Sequence, residues 1–386
     1  MINLFLFIKK LISFGYRQAR NIIKLILGYH LTTPSLGSIT LDLDDIAIAK
    51  KQLKERKNWF NSNTVKEYER SFAQWNGSKY AFAFMGGRVA LSACIHALNL
   101  KLDDEVILPG YTCVVVPNAF HFVGVKTIYS DIELDTYVLD SSLIEEKITP
   151  NTKVILLQHL YGLVCRDYEK IIEIARRHRL YVIEDCSPST GAVFKNRKVG
   201  NLGDVAIYSS EQSKIFTTIQ GGMAVTNNNL LAKRLKEYYD QASYPNVKLI
   251  DKQLHSVIIN YYFYKDPKRW WKGDLIHFLY KDKIIISTTK EEEQGIKPIY
   301  YGCKMPSTIA AIGLNQLKKI DYYNQKRRQT ARKWDRWCDS HGYKKPVIMP
   351  DSIPVYLRYP VMVEPEKKED TSWAYKELGI SLGVGL

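Results

Sequence analysis

Val182-Ile183-Glu184-Asp185 and Tyr208-Ser209-Ser210-Glu211-Gln212-Ser213-Lys214, with Gly221-Gly222 close behind, are the stretches that decide the fold. Each opens on the end of an apolar run with strand character and closes on polar residues. Asp185 ends the first run and precedes Lys214 by 29 residues. That separation holds a connection and one further strand, so both residues are expected at strand ends.

The two side chains have complementary chemistry. A lysine amine forms a Schiff base with an aldehyde. A carboxylate keeps a pyridine nitrogen protonated, so that the ring accepts electrons from a substrate carbon. A pyridoxal phosphate enzyme needs both. Lys214 and Asp185 are therefore the candidate catalytic residues.

Working outward, strand and helix alternate from about residue 60. Tyr80 to Met85, Glu105 to Leu108, Lys126 to Tyr129, Val154 to Gln158, Leu180 to Ile183 and Asp204 to Tyr208 read as strands. Val65 to Trp75, Arg88 to Asn99 and Tyr168 to His178 read as helices, as does a longer stretch from Thr308 to about Asp339. Val355 to Val361 reads as a further strand. Such alternation implies an α/β fold with a mostly parallel central sheet flanked by helices. Ligands then bind beyond the carboxyl ends of the strands. The Gly86-Gly87 turn, Asp185 and Lys214 all fall at such ends.

The composition suits a globular chain of 386 residues with a sizeable core, at 46% hydrophobic and 25% charged. The net charge of +15 fits nucleic acid, an anionic membrane or a phosphorylated substrate. No zinc-ligand spacing, aromatic RNA-binding signature or helix-turn-helix pattern accompanies it, so neither nucleic acid nor a metal is expected as a ligand. The six cysteines form no CxxC pair and no cluster, which fits a reducing, cytoplasmic compartment.

Residues 1–41 contain no Asp or Glu. At 100° per residue Lys9, Lys10, Arg17, Arg20 and Lys24 share one arc. Leu4, Phe5, Ile8, Leu11, Ile12, Ala19, Ile22, Ile23 and Ile26 fill the opposite side. The charges interrupt any membrane-spanning run and follow the first apolar stretch, which argues against a span and against a secretory signal. Residues 1–30 thus read as a basic amphipathic helix lying on an anionic membrane surface, or packed on the protein's own body or a sister subunit. Residues 31–60 read as linker and lead-in, 61–245 as a large domain, 246–300 as an irregular aromatic and basic excursion, and 301–386 as a helix with a reduced small domain.

In ordered sequence, several short landmarks resemble the DegT/DnrJ/EryC1/StrS sugar aminotransferases. They are Gly86-Gly87-Arg88-Val89-Ala90-Leu91, Asp104-Glu105-Val106-Ile107, Gln158-His159-Leu160-Tyr161-Gly162, Glu184-Asp185 before Gly191-Ala192, Ser209 five residues before Lys214, Lys304-Met305, Ala310-Ala311-Ile312-Gly313-Leu314 and Gln316-Leu317. The resemblance runs from about Thr64 to Leu382. It implies the pyridoxal phosphate-dependent transferase fold of type I with a small C-terminal α/β domain, which ends early here. It also implies that Lys214 carries the cofactor, that Asp185 pairs with its ring nitrogen, and that Ser209 and the backbone of Gly87, Arg88 and Val89 hold its phosphate. The Arg88 guanidinium, in place of the family's threonine, is expected to reach the phosphate. Cys113 stands where an aromatic stacks on the cofactor ring. Gly86, Pro188 and Gly302 also depart from the family pattern. His159 lies near the site without an assigned role.

The activity implied is amino transfer from glutamate to a nucleotide-linked keto-sugar for cell-surface glycan or lipopolysaccharide synthesis, in a homodimer at the cytoplasmic face of the membrane. Two other readings stand beside it. One is a sugar dehydratase using the same cofactor, although relatives of that kind carry His where Lys214 stands. The other is a membrane-associated, non-catalytic binding or scaffold protein on a degenerate aminotransferase fold.

Overall fold

The computed structural model describes residues 40–265, 285, 290–298, 300–374 and 382, together with Ile12, Gly15, Tyr16, Ala19, Ile22, Ile23 and Ile26. Its centre is a seven-stranded sheet. In chain order the strands are β1 (Tyr80–Phe84), β2 (Glu105–Pro109), β3 (Lys126–Ser130), β4 (Thr152–Gln158), β5 (Tyr181–Asp185), β8 (Val205–Ser209) and β9 (Gly222–Thr226), and they lie side by side as β1-β9-β8-β5-β4-β2-β3. β6 (Val193–Phe194), β7 (Arg197–Lys198) and β10 (Ser352–Ile353) form a small second sheet.

From β8 through β3 every pairing is parallel, and β9 runs antiparallel to both its neighbours. Alternation along the strands divides the core in two. Val106, Leu108, Val154, Leu156, Ile183, Val205 and Ile207 face α3 (Gly87–Ala97), α4 (Val115–His121) and α6 (Asn229–Gln241). Ile107, Ile155, Leu157, Val182, Ala206 and Tyr208 face the other layer, built from α1 (Leu43–Lys54), α2 (Ser62–Asn76), α5 (Tyr168–Arg177), α7 (Val247–Ile259) and α8 (Ser307–Leu317). Strands buried on both faces explain why each reads as a near-continuous apolar run.

The structure departs from the sequence reading in five places. The lead-in contains α1, whose Ile46 and Ala49 are buried together with Leu41. Residues 246–300 are not irregular at their start, because α7 occupies Val247–Ile259 and buries Ile250, Leu254 and Val257 at helical spacing. The expected helix from Thr308 to Asp339 is two, α8 and α9 (Ile320–His341). Val355 to Val361 is not a strand. Tyr356 has a left-handed φ of 50°, and the segment bonds a turn instead, Val355 N–H to Gly162 O and Arg358 N–H to Tyr161 O. β9 was not anticipated.

The linker at Leu31 to Ser38 and the Lys268-Arg269-Trp270-Trp271-Lys272 run lie outside the described residues. Of the N-terminal helix, Ile12, Tyr16, Ala19, Ile22, Ile23 and Ile26 are described. They are helical and exposed, Ile12 at 68% and Ile26 at 78%.

Candidate active site

β5 ends in two adjacent acids that point to opposite faces of the sheet. Asp185 lies on the same face as Ile183, the side of α3. Its register partner on β4 is Gln158. Gln158 Nε2 donates to Asp185 Oδ2 at 3.2 Å, and the Ser187 N–H donates to Oδ1 at 2.9 Å. A carboxylate held by donors at both oxygens is fixed in orientation.

Glu184 faces the other way and is fully buried. Its carboxylate accepts from His159 Nε2 (3.2 Å), the Tyr168 hydroxyl, and the N–H groups of Gly200 (2.7 Å), Leu202 (2.9 Å) and Gly203 (2.5 Å). Burial pushes Glu184 up, but the His159, Tyr168 and loop hydrogen bonds outweigh it and hold the carboxyl below its ordinary value. The Cys165 N–H donates to His159 Nδ1 at 3.1 Å, which places the ring proton on Nε2. Both ring nitrogens are therefore engaged, and His159 is a structural residue. His159, Glu184 and Cys186 bring potential metal-ligand atoms within 4.8 Å of one another, yet the ring nitrogen facing that cluster is already bonded to Glu184.

Gly87 opens α3 and lies against both strand ends. A methyl group there would come within 2.9 Å of Ser209 Cβ and 3.5 Å of Ser187 Oγ. Gly222 is constrained from the opposite side, because its added Cβ would meet the Gly86 carbonyl carbon at 2.3 Å and Gly87 N at 2.5 Å. Two glycines thus let backbone approach backbone where a helix N-terminus meets β8, β9 and the Asp185 turn.

Lys214 lies in the excursion between β8 and β9, which is closed by Ser210 N–H to Gly221 O and Gln212 N–H to Ile219 O. The Glu211 N–H donates to Ser209 Oγ at 3.3 Å, and the Lys214 N–H to Glu211 O at 3.0 Å. Hydrogen bonds therefore link Lys214 to Glu211, Glu211 to Ser209 and Ser187 to Asp185, and Gly87 lies between Ser209 and Ser187 with no room for a side chain. Among the described residues, the Lys214 amine makes no hydrogen bond or ion pair.

The remaining expected residues sit differently. The Arg88 guanidinium is ion-paired to Glu292 and donates to Tyr300 OH at 3.3 Å. Glu292 is buried with only 1% of its side chain exposed and needs a cation, so the expectation that Arg88 points its charge at the phosphate is corrected here. The Val89 N–H is spent on Gly86 O at 3.1 Å. Cys113, half-buried after β2, carries a free thiol and bonds Val116 N–H through its carbonyl.

Several buried polar atoms near this edge lack partners. The Gly87 N–H has no acceptor among the described residues. The same holds for Gln158 Oε1, Thr112 Oγ1 and Ser130 Oγ. Such atoms also occur at Gln52, Gln253 and Thr308. The three near the site share the carboxyl ends of the adjacent strands β2, β3 and β4. Unpaired buried polar groups are costly, and a polar ligand at this edge would complete them. Helix N-terminus, seryl hydroxyl, anchored carboxylate and unpaired amine form a donor set that fits pyridoxal phosphate. Sequence reasoning did not assign Gln158 or Ser187 a role. Ser187 had a local signal, two residues after Asp185, whereas Gln158 becomes a partner only through strand order.

Residues 43–384 match the sequence model of the DegT/DnrJ/EryC1/StrS aminotransferase family. The chain is 38% identical over 190 residues to a GDP-perosamine synthase of Caulobacter vibrioides, covering 49% of this chain and 51% of that protein. It is 32% identical over 275 residues to a GDP-perosamine synthase of Escherichia coli O157:H7, covering 71% and 63% respectively. Against these curated relatives it therefore spans between about half and just under two thirds of their length. The X-ray structure of an aminotransferase from Psychrobacter cryohalolentis superposes with a TM-score of 0.65 at 25% identity, covering 84% of this chain and 76% of that one.

Proposed function

The chain belongs to the DegT/DnrJ/EryC1/StrS aminotransferase family, and from that membership we propose that it is a pyridoxal phosphate-dependent aminotransferase moving an amino group from glutamate to a nucleotide-linked keto-sugar. The observation that carries this is the Lys214 amine, which has no partner among the described residues, in an excursion that starts at Ser209 beside the Gly87 helix start and the turn that follows Asp185, a carboxylate fixed at both oxygens. When bound, pyridoxal phosphate supplies an aldehyde for that amine and a ring that withdraws electrons from the substrate carbon. Asp185, held by Gln158 and Ser187, keeps a proton on the ring nitrogen. The Gly87 N–H and the Ser209 hydroxyl bind the phosphate. Lys214 carries the proton to and from the substrate carbon. The anchored acid and available amine favour an active enzyme over a scaffold, and Lys214 itself favours amino transfer over dehydration.

Two relatives named as GDP-perosamine synthases support an amino-sugar product for cell-surface glycan or lipopolysaccharide. The protein works as a homodimer at the cytoplasmic face of the membrane, with residues 1–30 on the anionic lipid surface. Supporting this are the exposed apolar stripe at Ile12, Tyr16, Ile22, Ile23 and Ile26, opposite a basic arc with no acid before Asp42. No helix among the described residues is long and apolar enough to cross a membrane.

Purified protein with pyridoxal phosphate is expected to absorb in the visible, and glutamate to bleach that band. Should Lys214→Ala leave both spectrum and turnover unchanged, amino transfer at this lysine is ruled out. Loss of residues 1–30 is expected to shift the protein from vesicle pellet to supernatant. Sedimentation velocity reads the dimer directly.

A further inference from the structure

The excursion that carries Lys214 contains a strained residue. Ile219 has a φ of 71°, in the left-handed region, and among the described residues it is the one β-branched side chain on such a backbone. Crowding between Cβ and the carbonyl oxygen makes that conformation costly for any L-residue, and branching at Cβ makes it worse. Such strain persists only where the surroundings over-determine it.

The surroundings here are specific. Gln253 of α7, fully buried, donates through Nε2 to Thr218 O at 2.9 Å and to Gln220 O at 2.5 Å. Those two carbonyls flank Ile219, so a single amide group bridges the strained residue. Gln253 shares the buried face of α7 with Ile250, Leu254 and Val257, where an apolar side chain would satisfy packing. Its Oε1 has no partner among the described residues, so the side chain serves through its donors alone. The Ile219 N–H donates to Thr217 Oγ1 at 2.9 Å, and Ile219 O accepts the Gln212 N–H at 3.0 Å. That last bond ties the strained residue to the chain two positions before Lys214. On the other flank, Gln316 Oε1 of α8 accepts the Thr217 N–H at 3.3 Å, and Arg327 Nη2 of α9 donates to Ile215 O at 2.6 Å. Residues 215–222 are all buried, while Lys214 itself is half-buried.

We propose that Gln253 is a positioning residue for Lys214, clamping Ile219 at positive φ and thereby fixing, through the Ile219–Gln212 bond, the backbone that presents the amine. The assignment rests on Lys214 as the reacting amine. An amine that must meet both a cofactor aldehyde and a substrate carbon needs its support held within about 0.5 Å. Without the clamp, Ile219 relaxes away from the left-handed region and draws the Gln212 end of the excursion with it. A glycine at 219 has no such drive, because it populates positive φ as readily as negative. The loss caused by removing Gln253 therefore depends on which residue stands at 219.

Two measurements on the full chain test this. Amide hydrogen exchange, without added cofactor, reads how firmly residues 215–221 are held. With pyridoxal phosphate bound, the rate at which glutamate bleaches the visible band reads the placement of Lys214. Gln253→Met is expected to speed exchange across 215–221 roughly thirtyfold, as the loss of two hydrogen bonds implies. It should slow bleaching at saturating glutamate roughly tenfold and leave the glutamate concentration for half-maximal rate unchanged. In an Ile219→Gly background the same substitution should slow bleaching by less than about threefold, the cavity left by the glycine being common to both proteins and cancelling. Gln253→Asn, with its donors on a stem one methylene shorter, should lie between wild type and Gln253→Met, and it carries the same comparison of backgrounds if Gln253→Met does not fold. Equal slowing in the two backgrounds, an unchanged bleaching rate in folded protein, or a change confined to the glutamate concentration overturns the positioning role. If the wild type shows no visible band, the reading of Lys214 fails and the role of Gln253 toward it fails as well. Exchange still judges the clamp in that case, and unaltered exchange in Gln253→Met would show that Gln253 does not hold Ile219.

Discussion

Glu184 and Asp185 are consecutive residues on one strand, both buried, yet their surroundings differ in completeness. Glu184 is met by five donors, from His159, Tyr168, Gly200, Leu202 and Gly203, and its pocket is closed. Asp185 is fixed by Gln158 and Ser187, and beside it Gln158 Oε1 and the Gly87 N–H have no partner among the described residues. A polar site that serves the fold supplies its own hydrogen bonds. One that serves a ligand is left for the ligand to complete.

The sharpest way to break the contrast is Asp185→Asn. The amide is nearly isosteric, keeps an acceptor for Ser187, and presents its NH2 to Gln158, whose otherwise unpaired Oε1 can turn to accept it, so the thermal midpoint should hardly move. Without the negative charge the ring nitrogen of the cofactor loses its proton, and turnover should fall roughly a hundred- to a thousandfold. Steady-state kinetics beside a melting curve decides it. An intact rate would remove Asp185 from the chemistry.

Next in size is Gly222→Ala, which attacks the open side without altering any polar side chain. The new methyl would press on the Gly86–Gly87 peptide at 2.3–2.5 Å. Overpacking of this kind costs about 1–3 kcal/mol, and here it displaces the phosphate cradle. Fluorescence titration with pyridoxal phosphate should show at least roughly tenfold weaker binding. Unchanged affinity would mean that the cradle lies elsewhere.

Much of the open side was legible in the sequence, and little of the closed side. Asp185, Gly87 and Ser209 declare themselves because each ends or begins an element whose period is visible locally, and Lys214 because it follows one closely. The structure brings their elements together at one sheet edge. Gln158 and the donors of Glu184 are invisible by the same logic, because their partners are chosen by the strand order β4-β5-β8 and by a loop that folds back at Gly200. Arg88 shows a different limit. Its position at the helix start is readable, but its partner Glu292 lies about two hundred residues away. α7 was legible at Ile250, Leu254 and Val257 and was obscured by the aromatic, lysine-rich run behind it. The expectation of a strand at Val355 rested on apolar composition, while Tyr356 at positive φ and Pro360 make the segment a docking loop.

The closed side is tested by Glu184→Gln. An amide nitrogen is placed among donors and at least one of the buried N–H groups loses its acceptor, which should cost about 2–4 kcal/mol. The expected outcome is a clearly lower thermal midpoint with the cofactor band retained in protein that remains folded. The pH dependence carries the same information. Because the folded Glu184 carboxyl is held below its ordinary value, its stabilisation is present above that value and is lost as pH falls through the lowered one. Wild type should therefore lose stability on acidification more steeply than the Gln variant.

The smallest effect concerns a third acid, on which the donor rule makes the opposite demand. Glu69 of α2 covers the edge of β1, accepting the Ala83 N–H at 2.8 Å on one oxygen. With so few donors, burial dominates and pushes its carboxyl up to about 7, although Ala83, Tyr239 and two lysines pull the other way. A carboxyl raised in the folded state favours folding while it keeps its proton. That contribution is whole below its ordinary value near 4.5 and is lost as pH rises through about 7. Glu69→Gln keeps the acceptor for Ala83 and cannot ionise. It should therefore match wild type near pH 5 and be the more stable by about 1–2 kcal/mol near pH 8, once solvent screening is allowed for. Melting curves across that range measure the gap. If the two proteins ran parallel from pH 5 to pH 8, counting donors around a buried acid would not predict its protonation in this fold, and the contrast between Glu184 and Asp185 would lose its physical basis.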